Sequence, residues 1–179
     1  MNEHIPVSKY YDIDGLNTII KDSPKQLLMI SVNIVSLPKN VDKIKSMIKI
    51  LTKPPSIIHV CETKLPVDEE KLKLLLPEIQ IKGYDIVYNN SITNAGGTAL
   101  YIQENLKFTK REDLTINLPG VECSFIELIC ENRSKNPLIG TVYRHPSNSP
   151  NARLFSVELE ELLEKCTNKG THYSNVSCR

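Results

Sequence analysis

Two short apolar runs, each ending on a polar residue and separated by one amphipathic stretch, constrain the fold of this chain most. The first is Leu27-Leu28-Met29-Ile30-Ser31-Val32-Asn33, and the second is Ser56-Ile57-Ile58-His59-Val60-Cys61, followed by Glu62. Both have strand length. Between them Ile44, Met47, Ile48 and Leu51 recur at helical spacing behind Asn40, a good N-cap. This predicts a helix from Val41 to about Leu51, ended by Pro54 and Pro55. A strand, helix, strand succession predicts a right-handed crossover with the two strands parallel.

The remaining pattern adds a second helix from about Asp68 to Leu76, closed by Pro77. Tyr84 to Tyr88 alternates as a half-buried strand should, Asn89 to Asn94 is a polar turn, and Gly96-Gly97 leads into Thr98 to Ile102. These read as an antiparallel pair. Cys123 to Ile129 and Leu138 to Tyr143 read as another, joined by the polar loop Glu131 to Asn136. A last amphipathic helix spans about Leu154 to Lys165 with Leu159, Leu162 and Leu163 inward, and Lys9 to Ile20 is a short helix or extended arm. The mixture implies an α/β protein, two mixed sheets packed face to face with helices outside. The expected division is an arm over 1–25, one domain over 26–167 and an irregular tail over 168–179, where no periodicity is visible.

A chain of 179 residues can bury a substantial single core. Its net charge of +1 offers no global attraction to phosphate, so any nucleic-acid contact must be local. No apolar run approaches the roughly 18 residues of a membrane helix. Met1 to Ser8 lacks the basic and apolar regions of a signal peptide, so a nuclear or cytoplasmic setting without membrane contact is expected. Five cysteines without a CxxC pair argue against a disulfide framework and a zinc site. Asn132-Arg133-Ser134 then reads as a chance match to the glycosylation pattern.

Asn33 and Glu62 fall at the carboxyl ends of adjacent parallel strands, where α/β sheets bind ligands. A carboxylate there suits a hard cation such as Mg²⁺; a turn-capping Asn33 and a solvated Glu62 are the bland alternative. Tyr143-Arg144-His145-Pro146 ends another core strand, and a phenol with a guanidinium suits phosphate oxygens, or simply terminates the strand. Gly96-Gly97 allows close backbone approach to a ligand but equally a turn or bulge. His59, inside an apolar strand, reads as a satisfied core histidine, and Lys43, Lys45, Lys49 and Lys53 read as a solvated helix face.

In order along the chain, four stretches resemble the endonuclease/exonuclease/phosphatase family, and within it the endonucleases of non-LTR retrotransposons. Ser31-Val32-Asn33-Ile34-Val35-Ser36-Leu37 resembles the group's "N-I-R-S-L" strand end. Pro55-Ser56-Ile57-Ile58-His59-Val60-Cys61-Glu62-Thr63-Lys64-Leu65 is similar to "P-D-I-I-x-x-x-E-T-x-L". Gly96 to Ile102 resembles "G-G-V-A-I-Y-I", and Ile139 to Ser147 resembles "G-x-x-Y-R-P-P". The resemblance covers roughly Leu27 to Cys166. It implies a four-layer α/β sandwich cutting phosphodiester bonds in DNA with Mg²⁺, in an element that also encodes a reverse transcriptase. It further implies Glu62 as the metal carboxylate, Asn33 ordering the metal shell, and Tyr143 with Arg144 at the scissile phosphate.

Departures from the pattern shape the functional expectation. Val35 stands where the group has Arg, and His145 replaces the first proline of its pair. No "G-D-x-N" or "S-D-H" segment follows the last helix; the chain reads Thr167-Asn168-Lys169-Gly170-Thr171-His172 and on to Arg179, and His172 is no substitute base. Without a general base and its electrostatic partners, the 179 residues alone are expected to be inactive. The absent strands would leave an exposed sheet edge and a smaller core. A non-catalytic nucleic-acid or protein binding remnant of the same fold is the alternative, and phospholipid or inositol phosphate head groups are a third substrate class within the family.

Overall fold

The structure, a computed structural model, describes residues 9–22, 26–90, 96–131, 136–145, 152–168 and 172–177. Met1–Ser8, most of the 89–94 turn, the glycosylation-like tripeptide and Pro146 lie outside the described residues. The arm contains a helix, α1 (Ile13–Asp22), whose single buried residue is Ile20.

The strand, helix, strand unit forms β1 (Met29–Asn33), α2 (Leu37–Ile50) and β2 (Ile57–Cys61). β1 and β2 pair in parallel from Met29↔Ile57 to Asn33↔Cys61. α2 starts a turn earlier than its apolar spacing suggests. Pro38 lies in the first turn, where a missing N–H leaves no helical bond unmade. Ser36 holds the N-cap position, and Asn40 instead donates to the carbonyls of Ile34 at 3.0 Å and Ser36 at 3.2 Å. At its other end Asn17 of α1 donates to the Ile50 carbonyl at 3.1 Å and accepts from the Thr52 N–H at 2.8 Å. The Ile50 carbonyl is one that the helix terminus leaves without an intrahelical partner, and the Thr52 N–H lies just past the C-cap.

α3 (Glu69–Ile79) is capped by Asp68, which accepts from the Lys71 N–H at 2.9 Å. It runs through Pro77 instead of stopping there. The ring sits on the exposed side, one turn from the end, so only one internal bond is lost.

β3 (Tyr84–Asn89) and β4 (Thr98–Gln103) form the expected antiparallel pair, and β4 inserts between β2 and β3 to give the order β1-β2-β4-β3. The second sheet comprises β5 (Phe108–Lys110), β6 (Val121–Leu128), β7 (Pro137–Arg144) and β8 (His172–Ser177), in that order. α4 (Ala152–Asn168) leads from β7 into β8, which pairs with β7 in parallel. The span 168–179, expected to be irregular, therefore includes a strand. Its order comes from the edge that β7 offers, which tertiary context decides and local pattern does not.

Three apolar layers fill the space between these elements. Leu37, Val41 and Ile44 of α2 and Leu72 and Ile79 of α3 pack on Ile58, Val60, Ala99 and Tyr101 of the first sheet. Ile57, Leu100, Ile102, Ile126 and Ile139 lie between the sheets. Leu162 and Cys166 of α4 join Val121, Phe125 and Leu138 on the far side. The succession helix, sheet, sheet, helix is the four-layer α/β sandwich.

Period-two alternation turns His59 toward the other sheet, fully buried. Its Nδ1 lies 2.9 Å from Ser31 Oγ, and its Nε2 meets Thr141 Oγ1 on β7. It is a satisfied core histidine, and it ties β1, β2 and β7 together.

Tyr101 is buried, donates to the Ile79 carbonyl at 2.7 Å, and has its phenol pKa raised by burial. A pKa raised by folding means that its contribution is intact below the unfolded value of about 10 and declines as pH rises past it. Tyr101→Phe should lose about 1 kcal/mol at pH 7. Denaturant titrations between pH 7 and 11 should show a shallower alkaline fall in this variant than in the parent; parallel curves would refute the assignment.

Candidate functional site

The pairing of Asn33 with Cys61 places Glu62, one residue further, beside Asn33 where both strands end. Asn33 Nδ2 donates to Glu62 Oε1 at 2.8 Å, and Asn33 Oδ1 accepts the Val35 N–H at 3.1 Å. Both ends of the amide are thereby used, which fixes its orientation and aims one carboxylate oxygen.

The chain leaves these strands through strained backbone. Val35, Glu62 and Lys64 have φ of 63°, 57° and 52°, left-handed values that cost a side-chain-bearing residue roughly 1–2 kcal/mol each. A lattice of backbone bonds holds them: Ile34 N to Cys61 O at 3.1 Å, Leu37 N to Thr63 O at 2.9 Å, Thr63 N to Gly97 O at 3.1 Å and Lys64 N to Gly96 O at 2.9 Å.

Gly96-Gly97 serves the close approach of backbone to this turn. Gly97 has φ of 82°, and a Cβ there would lie 2.2 Å from Thr63 Oγ1. Its N–H donates to Glu122 Oε2 across the gap between the sheets. Glu122 is 9% exposed and stands opposite Tyr143 in the β6–β7 pair. Sequence reasoning missed this carboxylate, which precedes the alternating run that marks β6. Only the hairpin register shows it facing Tyr143.

These contacts establish a shared rim. Gly97 precedes β4, whose start lies at the carboxyl end of β2, and Glu122 is near the start of β6, beside the carboxyl end of β7. Their hydrogen bond puts the ends of β1, β2 and β7 on one side of the sandwich, so Asn33, Glu62 and Tyr143 belong to the same edge. Tyr143 is buried, with its ring edge-on to His145 at 6.4 Å. Arg144 does not accompany it. As the next residue on a strand it faces the opposite side, with its guanidinium 5.5 Å from the Phe155 ring of α4, a cation–π contact. Thr63 Oγ1 and Thr98 Oγ1, both fully buried at the rim, have no hydrogen-bond partner among the described residues.

Of the lysines expected on a solvated helix face, Lys45 of α2 lies 3.5 Å from Asp42, and Lys53, which falls beyond the end of α2, donates to the Gln26 carbonyl at 2.9 Å. Among the described residues no group of three His, Cys, Asp or Glu side chains is placed to enclose a metal ion.

Solved structures share this architecture at low sequence identity. The AP endonuclease of Leishmania major is 16% identical, with a TM-score of 0.57 over 97% of this chain and 59% of that one. The mannosyl-6-phosphatase of Bacteroides thetaiotaomicron is 14% identical, with a TM-score of 0.53 over 85% of this chain and 64% of its own. An endonuclease/exonuclease/phosphatase family protein of the same bacterium is 13% identical, with a TM-score of 0.51 over 83% of this chain and 61% of its own. No protein-family model and no curated protein matches the sequence. The chain thus has the endonuclease/exonuclease/phosphatase fold and spans about three-fifths of the length of these solved chains. An endonuclease and a phosphatase on one scaffold mean that the fold alone does not select a substrate.

Gly97→Ala should destabilise the protein by about 2 kcal/mol or more, through both its φ and the Thr63 clash. Adding Thr63→Ala should recover the clash component only. Urea melts of the two singles and the double would give a coupling energy; strict additivity would count against this contact.

Proposed function

We propose that this chain carries the metal- and phosphate-holding part of a DNA phosphodiesterase site, of the kind found in retrotransposon endonucleases. The observation that carries the reading is the Asn33–Glu62 hydrogen bond at the carboxyl ends of two parallel strands. Position and chemistry agree there with the four-motif resemblance.

Glu62 suits Mg²⁺ because this ion needs only one or two protein carboxylates, its other positions going to water and phosphate oxygens. Glu62 oxygens would hold the ion, with Asn33 keeping the carboxylate in one rotamer. When bound, Mg²⁺ supplies charge neutralisation and polarisation of the phosphoryl oxygens. The Tyr143 phenol would donate to a phosphate oxygen from the β7 side. Glu122 keeps the two halves in place by fixing Gly97, and through it the turn that carries Glu62. Arg144, engaged with Phe155, would act from the flank.

The 179 residues contain no "G-D-x-N" or "S-D-H" segment, so none of these groups takes the proton from the attacking water. Losing members of a set that works as a unit removes on the order of 10⁴–10⁶ in rate. The chain by itself therefore binds a metal ion and DNA but does not cut. A reverse transcriptase region in the same element would be its natural neighbour, and a nuclear or cytoplasmic setting would fit that reading.

Supercoiled plasmid incubated with the protein and Mg²⁺ should show no nicking above a protein-free control, while Mg²⁺ should strengthen oligonucleotide binding and Glu62→Gln should abolish that gain. Nicking that disappears in Glu62→Gln would overturn the inactivity. DNA affinity that falls with salt yet ignores both Mg²⁺ and Glu62 would favour the non-catalytic binding module instead.

A further inference from the structure

Along the rim from Glu62, past the Gly97–Glu122 contact, lies a cavity of about 340 Å³. Its origin is the way β5 leaves β6. Pairing stops at Lys110↔Ile126, with one further bond from Arg111 N to Phe125 O at 2.9 Å. A turn closed by Leu114 N and Arg111 O then carries the chain away. No described strand pairs with the first half of β6 on that side, and β3 above it is the outer strand of its own sheet. The cavity is therefore walled by two strand edges, which present backbone donors and acceptors. Asn89 donates through Nδ2 to the Cys123 carbonyl and so bridges the two edges, Thr115 and Ser124 add hydroxyls, and Val87 and Leu114 add apolar surface.

Two properties narrow what fits. The size is near the lower end of the ~300–1,000 Å³ range of small-ligand sites, suited to a single heterocycle with its sugar. The charge disfavours an anion. Arg111 lies 2.7 Å from both Asp113 and Glu127, which take up its charge, and the Glu112 carboxylate lines the cavity together with Lys110. Two cations thus face three carboxylates, leaving no net attraction for a second phosphate. A flat, neutral group with hydrogen-bonding edges meets both conditions.

We propose that this cavity holds the base of the nucleotide adjoining the phosphodiester at Glu62, an assignment that rests on the phosphodiesterase reading. β2 and β3 are separated by β4 alone, so the cavity stands two strand spacings, about 10 Å, from the Glu62 end of the rim. That offset suits a neighbouring nucleotide and not the reacting one.

The test uses the whole chain in Mg²⁺, titrated with thymidine or adenosine and with a cleavage-resistant phosphorothioate trinucleotide. Backbone amide signals of Thr115 and Ser124 should move with both ligands, and the trinucleotide should bind at least about tenfold more tightly than the nucleoside. Thr115→Trp, a change at an exposed position that fills the cavity, should weaken both by about tenfold with an unaltered melting temperature. Lys110→Glu should leave nucleoside affinity unchanged. Unmoved signals, full binding by Thr115→Trp, or nucleoside affinity lost in Lys110→Glu would each overturn the base site. Nucleoside binding with no trinucleotide advantage would overturn its place beside the phosphodiester. Failure of the phosphodiesterase reading looks different: nucleoside binding stays sensitive to Thr115→Trp, while the trinucleotide advantage survives Glu62→Gln.

Discussion

The rim exists because the two sheets are held in one lateral alignment, and two buried polar contacts between them fix it. Apolar packing is non-directional, so the layer of Ile57, Leu100, Ile102, Ile126 and Ile139 would tolerate small slips of one sheet over the other. His59 bridging Ser31 and Thr141, and Glu122 accepting from Gly97, would not. Leaving His59, Thr141 or Glu122 unpaired in the interior costs more than the bond itself contributes, so the alternatives are penalised. The alignment that satisfies them also brings the ends of β1, β2 and β7 together.

Strain at Val35, Glu62 and Lys64 belongs to the same logic. Three residues with side chains adopt backbone angles that glycine would take more cheaply, all within the two turns that leave β1 and β2. A glycine at 62 would have no carboxylate to offer. The backbone bonds from Ile34, Leu37, Thr63 and Lys64 over-determine the turns, which makes the side chain available there at a tolerable cost.

Much of this was legible in the sequence. Strand lengths, the parallel β1–β2 pair, both hairpins, the amphipathic helices and the meeting of Asn33 with Glu62 follow from local periodicity plus one connection rule. What escaped was decided by distant partners. β8 carries little apolar alternation and is ordered by the free edge of β7. β5, three residues long, has no pattern to find. The start of α2 and the passage of α3 through Pro77 depend on what a proline costs at a given turn, and apolar spacing does not report that. Glu122 became visible only through register, and the separation of Arg144 from Tyr143 is a matter of strand parity that the short Tyr-Arg motif conceals.

The side-chain amide of Asn17 has a consequence beyond α1. By accepting from Thr52 and donating to Ile50, it makes the N-terminal arm the terminator of the crossover helix that connects β1 to β2. Loosening the arm would fray α2 from its carboxyl end while its amino end stays anchored beside the rim, so disturbance would enter the domain from the side furthest from Glu62. Natural variation in the arm should therefore be read as tuning the rigidity of one helix rather than the chemistry of the edge.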